Sequence, residues 1–223
     1  ITDYADRLLK DLDEQSLNWP EYIKESQRNW IGRSEGAEIE FKLKNIPGQE
    51  DNKHSVTVFT TRADTIFGVT YLAISPEVAT KWLTVGWQTS DEVKDYIAQT
   101  LAERAKQTFK DNPEKTGIFS GLYAINPANN EEVPVWITNY VLADVGTGAI
   151  MAVPAHDERD LEFAKKFNLP IVKVIEGGLL INSGEFTGLR SAEARKRITE
   201  WLKNRGLGDF STQYKIRDWI ISR

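Results

Sequence analysis

Apolar and polar positions along this chain recur with two different periods, and the switches between them mark its elements. Tyr4, Leu8, Leu9 and Leu12 stand at helical spacing and predict a helix over 2–16. Pro20 suits the first turn of a second helix reaching about Trp30, with Ile23, Gln27 and Trp30 on one face. Ile39, Phe41 and Leu43 then alternate with Glu38, Glu40 and Lys42, as in a strand with one face in the core. A polar turn over 47–54 leads to a β-branched strand over 55–61 and, past a threonine-rich loop, to an apolar piece over 69–74. Pro76 opens helical territory that runs, with a break near Gly86, to about Phe109; Asp91 and Glu92 at its second start and Arg104 and Lys106 near its end suit the helix dipole.

From 117 to 154 the pattern is mostly β, with strands over 133–142 and 149–153 and a hairpin turn at 126–130. A helix over 157–168 and a strand over 171–175 come next. Gly177-Gly178 and the span 184–188 mark a flexible loop. Ser191 is expected to cap a last helix through Asn204, closed by Arg205-Gly206, before a strand-like stretch over 214–221. Strands and helices do not alternate regularly enough for a doubly wound sheet. The expected class is α/β in the mixed α+β sense, a barrel-like, curved β-sheet surrounded by helices.

The 223 residues suit one large domain, or one domain with flanking arms. The boundaries expected are a helical and linker segment over 1–35, the main domain over 36–208 and a return strand over 209–223. A start at Ile1 and a stop at Arg223 inside a strand-like pattern read as a piece of a longer chain. The absence of cysteine excludes disulfides, thiolate zinc sites and a cysteine nucleophile. No apolar run is long enough to cross a bilayer and no leader segment is visible, so no membrane partner is expected and the cytoplasm is the expected compartment, with an organelle as the alternative. The net charge of −5 argues against wrapping a long nucleic acid, so any such contact should be confined to a few terminal nucleotides.

Two polar clusters carry the chemistry, each at the end of an apolar run. The first is Thr60-Thr61-Arg62-Ala63-Asp64-Thr65; the second comes after Gly146-Thr147-Gly148-Ala149-Ile150-Met151-Ala152-Val153-Pro154 as Ala155-His156-Asp157-Glu158-Arg159-Asp160. They look like one pocket built from two strand ends. Asp157 is a natural N-cap, and an acid three positions later resembles a capping box. The functional reading instead points Asp160 into the pocket, where a desolvated ammonium would make a charge-assisted hydrogen bond. His156 reads as a structural residue at a helix start or as a base. With His54 the other histidine, a histidine-rich metal site is not expected. Magnesium on Asp157, Glu158 and Asp160 would lack a phosphate-cradling glycine loop, so no metal is assigned. Strand propensity alone would account for Thr60 and Thr61.

At these residues the chain resembles a known family. Residues 60–72 are similar to the threonine-rich motif of the editing domain of leucyl-tRNA synthetase, in its bacterial or organellar form, and residues 146–160 are similar to that domain's second motif. Asn29-Trp30-Ile31-Gly32-Arg33-Ser34-Glu35-Gly36 resembles the segment leading into that insertion, and residues 214–223 resemble the return to the catalytic body. Two positions depart from the family pattern: Ala63 stands in place of the usual proline and Val145 in place of a frequent tyrosine.

The resemblance implies the class I synthetase editing-domain fold and hydrolysis of a wrong aminoacyl ester, such as that of isoleucine, valine or norvaline, on the 3′ end of leucine-accepting tRNA. It gives Asp160 the substrate's α-ammonium, Thr60 and Thr61 hydrogen bonds to substrate or water, and Thr65 the exclusion of leucine. Met151 and Val153 would line the side-chain pocket; Arg62, His156 and Asp157 would touch the terminal nucleotide or hold the site together. The rest of the synthetase would be a partner in cis and the protein a monomer. No cofactor is expected here: ATP and magnesium belong with the H-I-G-H and K-M-S-K-S signatures, which this sequence lacks. Three rivals stay open: a valyl-type editing domain, separated by a panel of mischarged tRNAs; a non-catalytic module that docks the tRNA 3′ end; and a metal-dependent hydrolase, revealed by chelators.

Overall fold

The computed structural model describes residues 1–14, 16–44, 54–106 and 114–218. The chain divides into two compact units: residues 1–36 with those from 211 onward, and residues 37–210. In the first, a 3-10 turn (Thr2–Tyr4) runs into helix α1 (Ala5–Asp11), and α2 (Glu21–Ile31) comes after it. Buried Ala5, Leu12 and Ile31 form a small core there with Leu9, Leu17, Tyr214 and Ile216 around it. The first helix is shorter than its apolar spacing predicts. Helix α2 ends at Gly32, whose left-handed φ of 62° lets its N–H reach back to the Arg28 carbonyl.

The second unit is built on a mixed sheet. Its strands are β1 (Arg33–Lys44), β2 (Ser55–Thr60), β3 (Tyr71–Ile74), β4 (Gly117–Ile125), β5 (Glu132–Thr138) and β6 (Ala149–Ala152), in the order β2-β1-β4-β5-β3-β6. A short hairpin of β7 (Ile175–Glu176) and β8 (Leu179–Leu180) lies outside that path, and β9 (Gly208–Tyr214) pairs with β1. Along the path from β2 to β6, neighbours are antiparallel except β3 and β5. The ends of the path, β2 and β6, curl back against each other without joining in a ladder, so the sheet is strongly curved but not a closed barrel.

The alternation in β1 places Ala37, Ile39, Phe41 and Leu43 in the core. By contrast β3 is buried at all four positions because both of its faces are covered. Leu72 and Ile74 face the main core, while Tyr71 and Ala73 lie under helix α5 (Glu158–Lys166). There Phe163 packs its ring against Tyr71, Trp136, Tyr140 and Phe167, with centroids 4.4–5.6 Å apart. Helices α3 (Pro76–Thr84) and α4 (Asp91–Ala105) begin at Ser75 and Ser90, whose hydroxyls accept the N–H of Val78 and Val93.

Several sequence expectations meet a different outcome, each for a local reason. The strand expected over 133–142 stops at Thr138: the next carbonyls, of Asn139 and Val141, accept from the Arg104 guanidinium instead of a neighbouring strand. The strand over 171–175 is reduced to Ile175–Glu176, because the Val174 N–H is taken by the imidazole of His156. Gly177 and Gly178, both at positive φ, form the hairpin turn after it. Helix α6 (Ser191–Asn204) has Arg190 as its N-cap, and Ser191 is its first residue with its hydroxyl turned away to Asp64. The final strand ends at Tyr214, where a strand was expected to begin. The turn over 47–53, the helix end near 109 and residues 219–223 lie outside the described residues.

Candidate functional site

Antiparallel pairing of β3 with β6 brings the two polar clusters to the same end of the sheet. Tyr71 stands opposite Ala152, and the Thr70 N–H donates to the Ala152 carbonyl at 3.2 Å. The 3-10 turn Ala63–Gly68 leads into β3, and β6 runs out into the loop that starts α5. The two segments act on each other through charge: Arg62 and Asp64 are among the groups that set the ionisation of His156.

In the threonine loop, the Thr60 hydroxyl accepts the Arg62 N–H at 3.0 Å, and the Thr65 hydroxyl donates to the Arg62 carbonyl at 2.8 Å. Thr65 is 1% exposed, whereas Thr61 is exposed to solvent. Ala63, at the proline position of the family pattern, is buried at the start of the turn; Val145, at the tyrosine position, is exposed. Asp64 is fully buried and meets four donor atoms: Arg62 Nε and Nη2, Ser191 Oγ at 2.5 Å and Arg195 Nε at 3.3 Å.

On the other segment, Asp157 is the N-cap of α5, and its Oδ1 accepts the N–H groups of Arg159 and Asp160. Its cap role is therefore the observed one. Burial works against its charge, but Arg159 and these amides outweigh burial and leave its carboxyl below the ordinary range. His156 is half-buried, and its Nε2 accepts the Val174 N–H at 3.0 Å. That bond requires the neutral ring to carry its proton on Nδ1. Burial, then the Arg62 charge, push its pKa down. Met151 and Val153 are buried members of the main core, Met151 opposite Leu72.

Asp160 is 4% exposed, with its side chain turned inward. Its Oδ2 accepts the Val153 N–H at 2.9 Å, and its backbone carbonyl accepts from the Tyr71 hydroxyl at 3.3 Å. Tyr71 also shares a hydrogen bond with Tyr140. Burial raises the Asp160 carboxyl to about 6; the Val153 amide opposes the shift and the nearby Asp157 charge adds to it. The two buried aspartates differ in their hydrogen-bond partners. Asp64 is saturated with donors, two of them cationic, as a structural carboxylate must be. Among the described residues the Asp160 carboxylate accepts one backbone amide, and its pKa is raised by desolvation, so a cation brought beside it would lower that pKa again.

The residues missed from sequence are Asp64 as a hub, Ser191, Arg195, Tyr71 and Tyr140. Arg62 and Asp64 stand two apart in the motif, and Ser191 and Arg195 share a helix face at i, i+4. No local pattern connects those two pairs, which lie 127 residues apart.

Comparison with known proteins agrees with this architecture. Residues 28–203 match the family described as leucyl-tRNA synthetase, editing domain. A leucine–tRNA ligase of Petrotoga mobilis (strain DSM 10674 / SJ95) is 47% identical over 241 aligned positions, covering 100% of this chain and 28% of that protein. The ternary complex of Agrobacterium radiobacter K84 agnB2 LeuRS, tRNA and LeuAMS contains a chain that superposes with a TM-score of 0.75 at 38% identity, over 97% of this chain and 25% of that one. The chain thus spans about a quarter of the length of either relative. With a matched family model over most of its length and a relative this similar, the chain belongs to the leucyl-tRNA synthetase editing-domain family.

Proposed function

We propose that this domain hydrolyses the aminoacyl ester of leucine-accepting tRNA that carries a wrong amino acid, such as isoleucine, valine or norvaline. The need is physical. One methylene in an apolar pocket is worth about 1–3 kcal/mol, the limit that aminoacyl-tRNA synthetases illustrate, so a second selective site is required.

The observation that carries the reading is Asp160, a buried, under-paired carboxylate at the strand end shared with the threonine loop. In this reading the substrate's α-ammonium pairs with Asp160, which fixes the ester carbonyl. Thr60 and Thr61 hold substrate or water, and Met151 and Val153 border the side chain. Thr65, anchored on the Arg62 carbonyl, is placed to exclude the branched end of leucine. Arg62 contacts the terminal nucleotide. His156 and Asp157 hold the site together, since both are engaged with backbone amides.

Water oxygen bonds to the ester carbonyl carbon, and the bond from that carbon to the ribose oxygen breaks. The ribose oxygen takes up one of the water's protons, the other passes to solvent, and the amino acid leaves as its carboxylate. Such an ester is activated, so positioning of water can supply much of the acceleration, aided by the neighbouring ribose hydroxyl. The test is deacylation of leucine-accepting tRNA charged with isoleucine, valine, norvaline or leucine, without ATP, by the protein in its natural full-length form. The first three should be cleaved and the leucyl ester spared. Release of none of the four, or equal release of leucine, overturns the proposal.

A further inference from the structure

Helix α6 lies outside both polar motifs, yet it packs directly on the 3-10 turn Ala63–Gly68. We propose that Ser191 and Arg195 of α6 are positioning residues for the threonine loop, acting through Asp64 and Arg62 on the hydroxyls of Thr60 and Thr65. The proposal rests on the function proposed above.

Each link from α6 to the threonines is a direct polar contact. Ser191 Oγ lies 2.5 Å from Asp64 Oδ2, and Arg195 Nε lies 3.3 Å from Asp64 Oδ1. The same carboxylate grips the Arg62 guanidinium through Nε at 3.0 Å and Nη2 at 3.1 Å, a two-point contact that fixes orientation as well as distance. The Arg62 backbone in turn serves both threonines, donating its N–H to Thr60 and accepting at its carbonyl from Thr65. A shift of Arg62 therefore moves both hydroxyls together.

The far end of the turn is held independently. Asn126 Nδ2 donates to the Ile66 carbonyl at 2.9 Å, and Gly68 sits against Val174 so closely that a Cβ there would lie 2.9 Å from its methyl. The polar end, where the threonines are, has the Asp64 hub as its counterpart anchor. Burying that carboxylate costs desolvation, and an apolar replacement of similar volume is often no less stabilising. What the ionic arrangement adds is a single fixed geometry. Arg62 and Arg195 remain 42% and 45% exposed while Asp64 is 0% exposed, so the carboxylate is the enclosed element and the arginines close over it from two parts of the chain.

The experiment compares Arg195→Gln, Arg195→Lys and Ser191→Ala in the full-length protein. It measures kcat and KM for isoleucyl-tRNA at low and high salt, the leucyl-to-isoleucyl hydrolysis ratio, thermal stability, and a crystal structure of R195Q. Because small misplacements of positioned groups are costly, R195Q should lower kcat about tenfold or more with KM nearly unchanged, and raise the leucyl-to-isoleucyl ratio several-fold. Lysine at 195 should restore part of the ratio, and residues 60–65 should be displaced in the R195Q crystal. A raised KM with a flatter salt dependence, at unchanged kcat and ratio, would make Arg195 a phosphate contact and overturn the proposal. A lower melting temperature with unchanged kinetics and ratio would reduce the brace to a stabilising contact, also against it. If wild-type protein cleaves no mischarged tRNA, the function reading fails by itself; the crystal comparison still decides this one, and an unmoved loop refutes it.

Discussion

Asp160→Asn separates the cost of the buried carboxylate from its use. The unfolded carboxyl titrates at 3.8 and the folded one at about 6, so the folded state disfavours the charged form. Proton linkage gives the sign: stability from this group is complete below the unfolded value and is lost as pH rises through the folded one. At 1.36 kcal/mol per unit, the loss begins near pH 4 and approaches about 3 kcal/mol by pH 7. Asparagine is nearly isosteric, keeps a carbonyl oxygen for the Val153 N–H and does not ionise. The stability difference between D160N and wild type should therefore grow in favour of the variant across that window, to about 3 kcal/mol at pH 7. Urea unfolding of both proteins at a series of pH values measures it, and subtraction removes the titration of every group they share. The same change should cost deacylation tenfold or more, since a hydrogen bond to a charged group is worth about 1.5–3 kcal/mol. A pH-independent difference, or a variant less stable than wild type at pH 7, refutes the burial argument. A more stable variant with unchanged deacylation removes Asp160 from the ammonium role.

Thr65→Ala removes the hydroxyl donated to the Arg62 carbonyl, which should cost about 1 kcal/mol in thermal unfolding and open hydrolysis of correctly charged leucyl-tRNA; an intact leucyl ester places the gate elsewhere. Asp157→Ala deletes the α5 cap and should cost about 1 kcal/mol at neutral pH. Because the Asp157 carboxyl is held low in the fold, that contribution should shrink as pH falls through its folded value, which pH-dependent urea unfolding would detect. Phe163→Ala, at the centre of the aromatic cluster under α5, should cost about 3–5 kcal/mol in denaturant unfolding; a loss below 1 kcal/mol would show that the cluster collapses to fill the void.

Elements that obey a local rule were legible in the order of residues alone. The alternation of Ile39, Phe41 and Leu43 with charged neighbours defined one face of β1, and Pro76 opened α3. Asp157 was readable as a cap because capping needs a side chain and an amide two or three residues away. Both polar motifs could be recognised as strand ends, since each comes after an apolar run. Which ends meet was settled by the folded chain: the antiparallel register of β3 on β6 depends on backbone partners 81 residues apart at Tyr71 and Ala152, and no local pattern encodes that distance. Folding also overruled good local choices wherever a distant group competed for the same atom. His156 took the Val174 N–H from a strand, Arg104 took the carbonyls after Thr138, and Asp64 took the Ser191 hydroxyl from its cap. The burial that perturbs Asp160 is likewise a sum over packed neighbours from several elements, a quantity that exists only once the chain has folded.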